Sequence, residues 1–231
     1  MESILRDIYY NDLVFGRDEL YKRAKSKDSK ITYKIVDSFL KSQAPRQVTY
    51  KRDVKDYYPL VSYYPFARIQ IDILDLIDSV PRANRGYRYI FLAIDVFSRF
   101  VIAVPIKTRS DNDVSSALKI VLDQIRSMGF VTSQIDSDNE SSFLSRSFQK
   151  ILADNSITHN TSEVGDHHSL GIVDRFCKTI RDVLKRYSIA RDTNKWIDVI
   201  DKLIENYNNR VHSSLKTSPV EVLKSTDYSS I

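Results

Sequence analysis

Ile69-Gln70-Ile71-Asp72-Ile73-Leu74 is the stretch that decides the fold. Three isoleucines alternate with Gln70, Asp72 and Leu74, a period of two. That period predicts a β-strand with the isoleucines on one face and Asp72 on the other. A carboxylate in a core strand is costly unless it is paired or bound to a cation. Asp72 is therefore the first candidate functional residue.

Beyond this strand, residues 87–97 form a near-continuous apolar and aromatic run, the pattern of a central strand. Ser98-Arg99 is a short break before the run from Phe100 to Ile106, so a hairpin is expected. A helix follows, capped by Ser110 or Asp111, with Val114, Ala117, Leu118, Val121 and Ile125 on one face and Gly129 at its end. A short strand is predicted to end near Ser137, then a helix marked by Phe148, Ile151 and Leu152, then a short strand from Ile157 to Asn160. A long helix is predicted over about residues 170–189, and another over about 194–209 with Trp196, Ile200, Leu203 and Tyr207 inward. Ser218-Pro219-Val220-Glu221 combines a capping box with proline at the first helical position, which starts a last short helix. Strands followed by alternating helix and strand imply an α/β fold with a mixed sheet.

On the N-terminal side, residues 1–58 read as a small helical unit. Leu13, Val14, Leu20 and Tyr21, then Ile31, Ile35, Val36, Phe39 and Leu40, recur at helical spacing. Pro45 stops the second run, and the basic, tyrosine-rich stretch from Gln47 to Tyr58 reads as a linker. The expected organisation is a basic helical segment and linker over 1–58, a core over 59–226 and a tail over 227–231. Between Tyr21 and Lys55 there are eleven Lys and Arg against three Asp, so 11 − 3 = +8, and with a total of +5 the rest of the chain carries 5 − 8 = −3. A basic segment on a slightly acidic body suits an arm that binds a polyanion, and it also suits a solvated helical surface.

Hydrophobic residues at 42% and charged residues at 28% fit a soluble globular protein. No apolar run approaches the ~18 residues of a membrane-spanning helix. The N-terminus lacks the basic-then-apolar layout of a secretory signal. Cys177 is the only cysteine, which excludes an internal disulfide and a multi-cysteine zinc site. A reducing, intracellular setting without a membrane partner is expected.

Two further carboxylates stand out. Asp138 follows the short strand in Ser137-Asp138-Asn139, and Asp174 lies early in the long helix, where the positive end of the helix tolerates an anion. Asp174, Lys178, Arg181 and Lys185 recur at i, i+4, i+7 and i+11, within a stripe roughly 60° wide. That stripe suits a metal ligand followed by phosphate contacts, and it also suits an exposed face with an Asp–Lys pair. Three carboxylates converging from two strands and a helix can hold two Mg²⁺ ions, which are hard and take oxygen ligands. Two such ions serve an in-line displacement at a phosphodiester, by water for hydrolysis or by a DNA 3′-hydroxyl for strand transfer.

Between Asp138 and Asp174 lie 174 − 138 − 1 = 35 residues. With Gln70-Ile71-Asp72, Ile94-Asp95-Val96-Phe97-Ser98-Arg99-Phe100, Ser137-Asp138-Asn139 with Phe143, and His167-His168-Ser169-Leu170-Gly171-Ile172-Val173-Asp174-Arg175-Phe176, this spacing resembles the D,D-35-E signature of retroviral-type integrases. Trp196, the segment Tyr207 to Leu215 and Thr217-Ser218-Pro219 are similar to the tail of the same core. The resemblance covers about residues 60–224 and is closest in flavour to integrases of Maverick/Polinton elements and related DNA viruses.

The resemblance implies an RNase H-like mixed five-stranded sheet flanked by helices. It implies Asp72, Asp138 and Asp174 as catalytic ligands of Mg²⁺ or Mn²⁺, two ions in all, and DNA contacts by Lys178, Arg181 and Lys185. It implies 3′-end processing and strand transfer by a homo-oligomer on double-stranded DNA, both element ends and target. A viral or mobile-element source follows, with a nuclear location in a eukaryotic host.

Three departures accompany it. Asp174 stands where the family usually has Glu, and Glu140 stands where it usually has Gly. Residues 1–58 contain no His or Cys, so the His₂Cys₂ zinc unit of many integrases is not expected, and neither is an SH3-like or chromodomain module after the core. The first two departures keep two alternatives open: an inactive, domesticated DNA-binding protein of the same fold, and an RNase H-like nuclease that only hydrolyses.

Other residues have expected roles as well. Asp95 should serve the hairpin turn, Asp136 should point away from the site, and Asp75 is a weaker rival to Asp72. Cys177 should be buried and inert, and His167 and His168 should be solvated loop residues. The tyrosines at 50, 57, 58, 63 and 64 suit either base stacking or packing between the two domains.

Overall fold

The alternation at Ile69 becomes β1 (Arg68–Asp75). In a computed structural model, residues 1–12, 14, 16–43, 60–76, 82–162 and 170–225 are described. β2 (Tyr89–Asp95) and β3 (Val101–Ile106) form the expected antiparallel hairpin. α4 (Asp111–Ser127), β4 (Gln134–Ser137), α5 (Arg146–Asp154), β5 (Thr158–Thr161), α6 (Gly171–Arg191), α7 (Ile200–Asn209) and α8 (Pro219–Lys224) follow. Ahead of them lie α1 (Glu2–Tyr10), α2 (Arg17–Lys27) and α3 (Tyr33–Ser42). The chain divides into two compact units, Met1–Asp56 and Tyr57–Ile231.

The second unit is an RNase H-like fold around one five-stranded sheet, in the order β3-β2-β1-β4-β5. β1, β4 and β5 are parallel and β2 runs against β1. The middle strand is therefore β1, not the continuous apolar run at 87–97. The reason lies in burial. Phe91 and Ala93 of β2 enter one core and Ile90, Leu92 and Ile94 the other, so both faces of that strand read as apolar. β1 is equally interior, but it spends Gln70 and Asp72 on polar work.

One face of the sheet packs Ile69, Ile71 and Ile73 against Val114, Leu118 and Val121 of α4 and Phe148 and Leu152 of α5. The other packs Leu74, Ile90 and Leu92 against Val173, Phe176 and Ile180 of α6 and Ile200 and Ile204 of α7. Helix ends follow local chemistry. Ser110, Ser145 and Ser218 cap α4, α5 and α8 by accepting from the amide three residues on. Gly129, at φ +86°, closes α4.

α7 starts six residues later than its periodicity suggests. The fully buried Asn84 accepts from the amides of Trp196 and Ile197 at 2.8 and 3.1 Å and donates to the Asn194 carbonyl at 2.9 Å. Those bonds hold residues 194–197 out of the helix although their spacing is helical.

In the first unit Val14, although at helical spacing with Leu20 and Tyr21, lies between α1 and α2, and Leu13 is outside the described residues. α1 supplies Leu5 and Ile8 to a core with Leu20, Ala24, Val36 and Leu40. Pro45, the stretch 47–58, His167, His168, the tyrosines at 50, 57 and 58 and the tail at 227–231 lie outside the described residues.

Candidate active site

The site begins with strand register. β1 and β4 pair in parallel with Arg68 against Gln134, Ile69 against Ile135 and Gln70 against Asp136. That ladder ends at Gln70 and Asp136, and beyond it Asp72 and Asp138 both lie near enough to Glu140 for their charges to act on its carboxyl. Asp138 sits just past the end of β4, and its turn is held from three directions. The Glu140 amide donates to Asp138 Oδ1 at 3.1 Å, and Ser137 Oγ donates to the Asp138 carbonyl at 2.7 Å. Behind Ser137, His159 Nε2 lies 2.8 Å from Ser137 Oγ, and Gln149 Nε2 donates to His159 Nδ1 at 2.9 Å. An amide nitrogen can only donate, so Nδ1 accepts and the ring proton sits on Nε2.

The third acid arrives on α6. Gln70, fully buried on the Asp72 face of β1, accepts through Oε1 from the amides of Ile172 and Val173 at 3.2 and 3.0 Å. Cys177 donates its thiol proton to Asp72 Oδ2 at 3.1 Å, while the Ile73 amide donates to Asp72 Oδ1 at 2.7 Å. Asp174 and Cys177 stand three residues apart on a helix, neighbours on one face. Asp174 is thus one turn from a residue that touches Asp72. Burial pushes the Cys177 thiol well above the usual thiol range, and the charges of Asp72 and Asp174 add to it. Cys177 is buried as expected, but it bears directly on the site.

Asp72 and Asp174 thus both act on Cys177, and Asp72 and Asp138 both act on Glu140. Among the described residues, no three His, Cys, Asp or Glu side chains are close enough together to hold a metal ion. The donor set nonetheless fits a hard divalent cation, since it is all carboxylate oxygen and leaves room for water.

Glu140 joins this group. It is half-buried, and its carboxylate lies 3.4 Å from Arg109 Nη1. Burial pushes its carboxyl up, Arg109 opposes that, and the charges of Asp138 and Asp72 add to the push. Glu140 is not among the residues with positive φ, so this turn does not need glycine's freedom.

Lys178, Arg181 and Lys185 are exposed along α6. The rival carboxylates are engaged in structure. Asp75 forms a two-pronged pair with Arg88 at 3.0 and 3.0 Å. Asp95 serves the hairpin as expected: buried, it accepts from the Ser98 hydroxyl and the amides of Ser98, Phe97 and Phe66. Asp136 does not point away. Its partners Arg68, at 2.6 Å, and Gln134 lie on the Gln70 face, and the ion pair removes it from the site. Gln70 was a word in a motif to sequence reasoning, with no role attached. A glutamine flanked by isoleucines in a core strand was the signal that could have flagged it.

Residues 63–167 match the family model of the integrase core domain, a span that contains Asp72 and Asp138 and ends before Asp174. The chain's likeness extends to a transposon-derived protein of Caenorhabditis elegans, 25% identical over 139 residues, 60% of this chain and 47% of that protein. The transposon Tf2-3 polyprotein of Schizosaccharomyces pombe is 25% identical over 191 residues, 82% of this chain and 14% of the polyprotein. The chain therefore spans less than half the length of either relative. In fold, the chain is similar to the HTLV-2 integrase catalytic core domain solved in complex with magnesium in a trimeric form. That likeness has a TM-score of 0.56 and 21% identity, and covers 70% of this chain and 99% of that one. It is also similar to a chain of the simian T-cell lymphotropic virus intasome, with a TM-score of 0.63 and 18% identity over 97% of this chain and 76% of that one.

Proposed function

We propose that this chain is a divalent-metal-dependent DNA strand transferase that processes 3′ ends and joins them to target DNA. The supporting observation is what surrounds Asp72: Cys177, one helical turn from Asp174, donates to its carboxylate, and its charge acts together with that of Asp138 on Glu140. Asp72, Asp138 and Asp174 would hold Mg²⁺ or Mn²⁺. When bound, such ions supply activation of the attacking oxygen and charge stabilisation of the leaving oxygen. Lys178, Arg181 and Lys185 grip the phosphate backbone and orient the scissile phosphodiester. The attacking 3′-hydroxyl gives up its proton as the new P–O bond forms and the old one breaks.

The partners in this reading are duplex DNA, both element ends and target, and further copies of the chain. The solved neighbours described as a trimeric form and as an intasome support it. No helix among the described residues is long and apolar enough to cross a membrane, which suits work on DNA inside the cell, in the nucleus of a eukaryotic host.

Glu140 favours a second reading, DNA binding without catalysis, because it adds a fourth carboxylate beside Asp138 and Asp72. Joining and hydrolysis of a short duplex with Mg²⁺ or Mn²⁺, measured beside DNA binding, separate transferase, nuclease and plain binder. Asp174→Asn should cut joining by orders of magnitude, since metal-stabilised charge is worth about several kcal/mol in the transition state. DNA binding should survive in it, because Lys178 and Arg181 remain. Robust joining by both wild type and Asp174→Asn refutes the assignment of the third acid.

A further inference from the structure

Among the described residues, α6 has no side-chain cap at its N-cap position, Leu170. Yet the helix must present Asp174 at a defined height above β1 if three acids are to share cations. The group that reaches its first turn comes from the sheet. Gln70 Oε1 accepts from both Ile172 N and Val173 N, the two residues just before Asp174. Gln70 itself is fully buried, so water does not compete for these bonds.

Gln70 and Asp72 stand two residues apart on one face of β1, about 6.6 Å along the strand. The strand that carries the first acid thus also holds the helix that carries the third. The thiol contact from Cys177 to Asp72 is a second point of the same attachment, one turn further along α6. Two points fix both the height and the rotation of a helix, where one would leave it free to pivot.

We propose that Gln70 is the positioning residue of this site, setting the register of α6 against β1 and so the reach of Asp174 toward the cations shared with Asp72 and Asp138. This rests on the metal-dependent reading above. It also bears on the short acid at 174. An aspartate has less reach than a glutamate, so the backbone that carries it must be held more closely, and two bonds to the adjacent amides do that.

The test uses the full chain and Mn²⁺ alone, with free ion counted by electron paramagnetic resonance and thermal midpoints taken in metal-free buffer. Gln70→Met keeps length and removes the acceptor. Gln70→Glu keeps an acceptor oxygen at the same place. Gln70→Met should weaken Mn²⁺ binding by about tenfold or more, the range seen when outer-shell partners of metal ligands are removed. Gln70→Glu should bind at least as tightly as wild type. Folded Gln70→Met with wild-type Mn²⁺ affinity overturns the proposal, even if its thermal midpoint is lower, because Gln70 is then merely structural. Should Gln70→Met not fold, Gln70→Glu decides: binding weaker than wild type overturns the proposal, and retained binding supports it. If wild type itself binds no Mn²⁺ while Asp72→Asn leaves duplex binding intact, it is the metal-dependent reading that fails, and the proposal falls with it.

Discussion

The two faces of the central strand differ in kind. Ile69, Ile71 and Ile73 belong to an apolar core cluster shared with α4, α5 and the neighbouring strands, whereas Gln70 accepts from backbone amides and Asp72 accepts from a thiol and bears on Glu140. One face contributes burial, and its residues are interchangeable within limits of volume. The other contributes placement, and its residues are defined by single atoms. A period-two strand can serve both needs at once, because neighbouring residues on it never share surroundings.

The sharpest way to break that comparison is to change two adjacent residues. Asp72→Asn should lower joining by orders of magnitude and leave the thermal midpoint near wild type, since it removes charge but little packing. Ile71→Ala should do the reverse. It should cost about 2–5 kcal/mol of stability, the range for emptying a buried aliphatic site, while joining per folded molecule stays near wild type. Urea unfolding and a joining assay on both variants test the division. Should Ile71→Ala lose activity in step with Asp72→Asn while still folded, the faces are not independent.

The same contrast explains what could be read from the sequence. β1 was legible because burial on one face writes a period, β2 because burial on both faces leaves a continuous apolar run, and the starts of α4 and α8 because Ser110 and Ser218 announce themselves locally. The late start of α7 was not, since Asn84 acts on Trp196 from 112 residues away. Asp72 was legible as an oddity within its strand, and Asp138 and Asp174 by spacing and resemblance. The roles of Gln70 and Cys177 required contacts that no spacing encodes. Asp136 was misjudged because its partner Arg68 lies 68 residues away, on a strand known only after pairing.

The N-terminal unit carries the contrast to a smaller scale. Its inner surface is the apolar cluster of Leu5, Ile8, Leu20, Ala24, Val36 and Leu40. Outside, many cations are already engaged: Arg6 with Glu2, Arg23 with Glu19 and Lys27 with Asp7. Lys22, Lys25, Lys30 and Lys34 are exposed and make no ion pair among the described residues. If this face binds DNA, changing these four to alanine should weaken duplex binding alike for all sequences. The slope of log affinity against log salt should also become shallower, by about one for each phosphate that is no longer neutralised. An unchanged affinity and slope would make the face a solvated surface.

The smallest expected effect comes from the residue that crosses the divide. His159 belongs to the packing face: it pairs with Ile135 across the strands and its ring lies against Phe148 at 5.9 Å between centroids. Yet its Nε2 proton faces Ser137 Oγ, which in turn donates to the carbonyl of Asp138. Burial pushes its pKa below the ordinary histidine value, with Asp136 opposing. Protonation would put a proton on Nδ1, facing the Gln149 amide that now donates to it. The sign follows from linkage. With a lowered folded pKa, the unfolded chain binds the proton first, so stability is full above the ordinary histidine range near pH ~6.5 and falls as pH drops through it. His212 is shifted the same way by burial and adds a slope of the same sign. The informative quantity is therefore the difference between wild type and His159→Asn in urea midpoint from about pH 7.5 to about pH 5.5. The wild-type midpoint should fall more steeply. Parallel curves would mean that the ring is not held neutral by its partners, and that the packing face has no hand on the turn carrying Asp138.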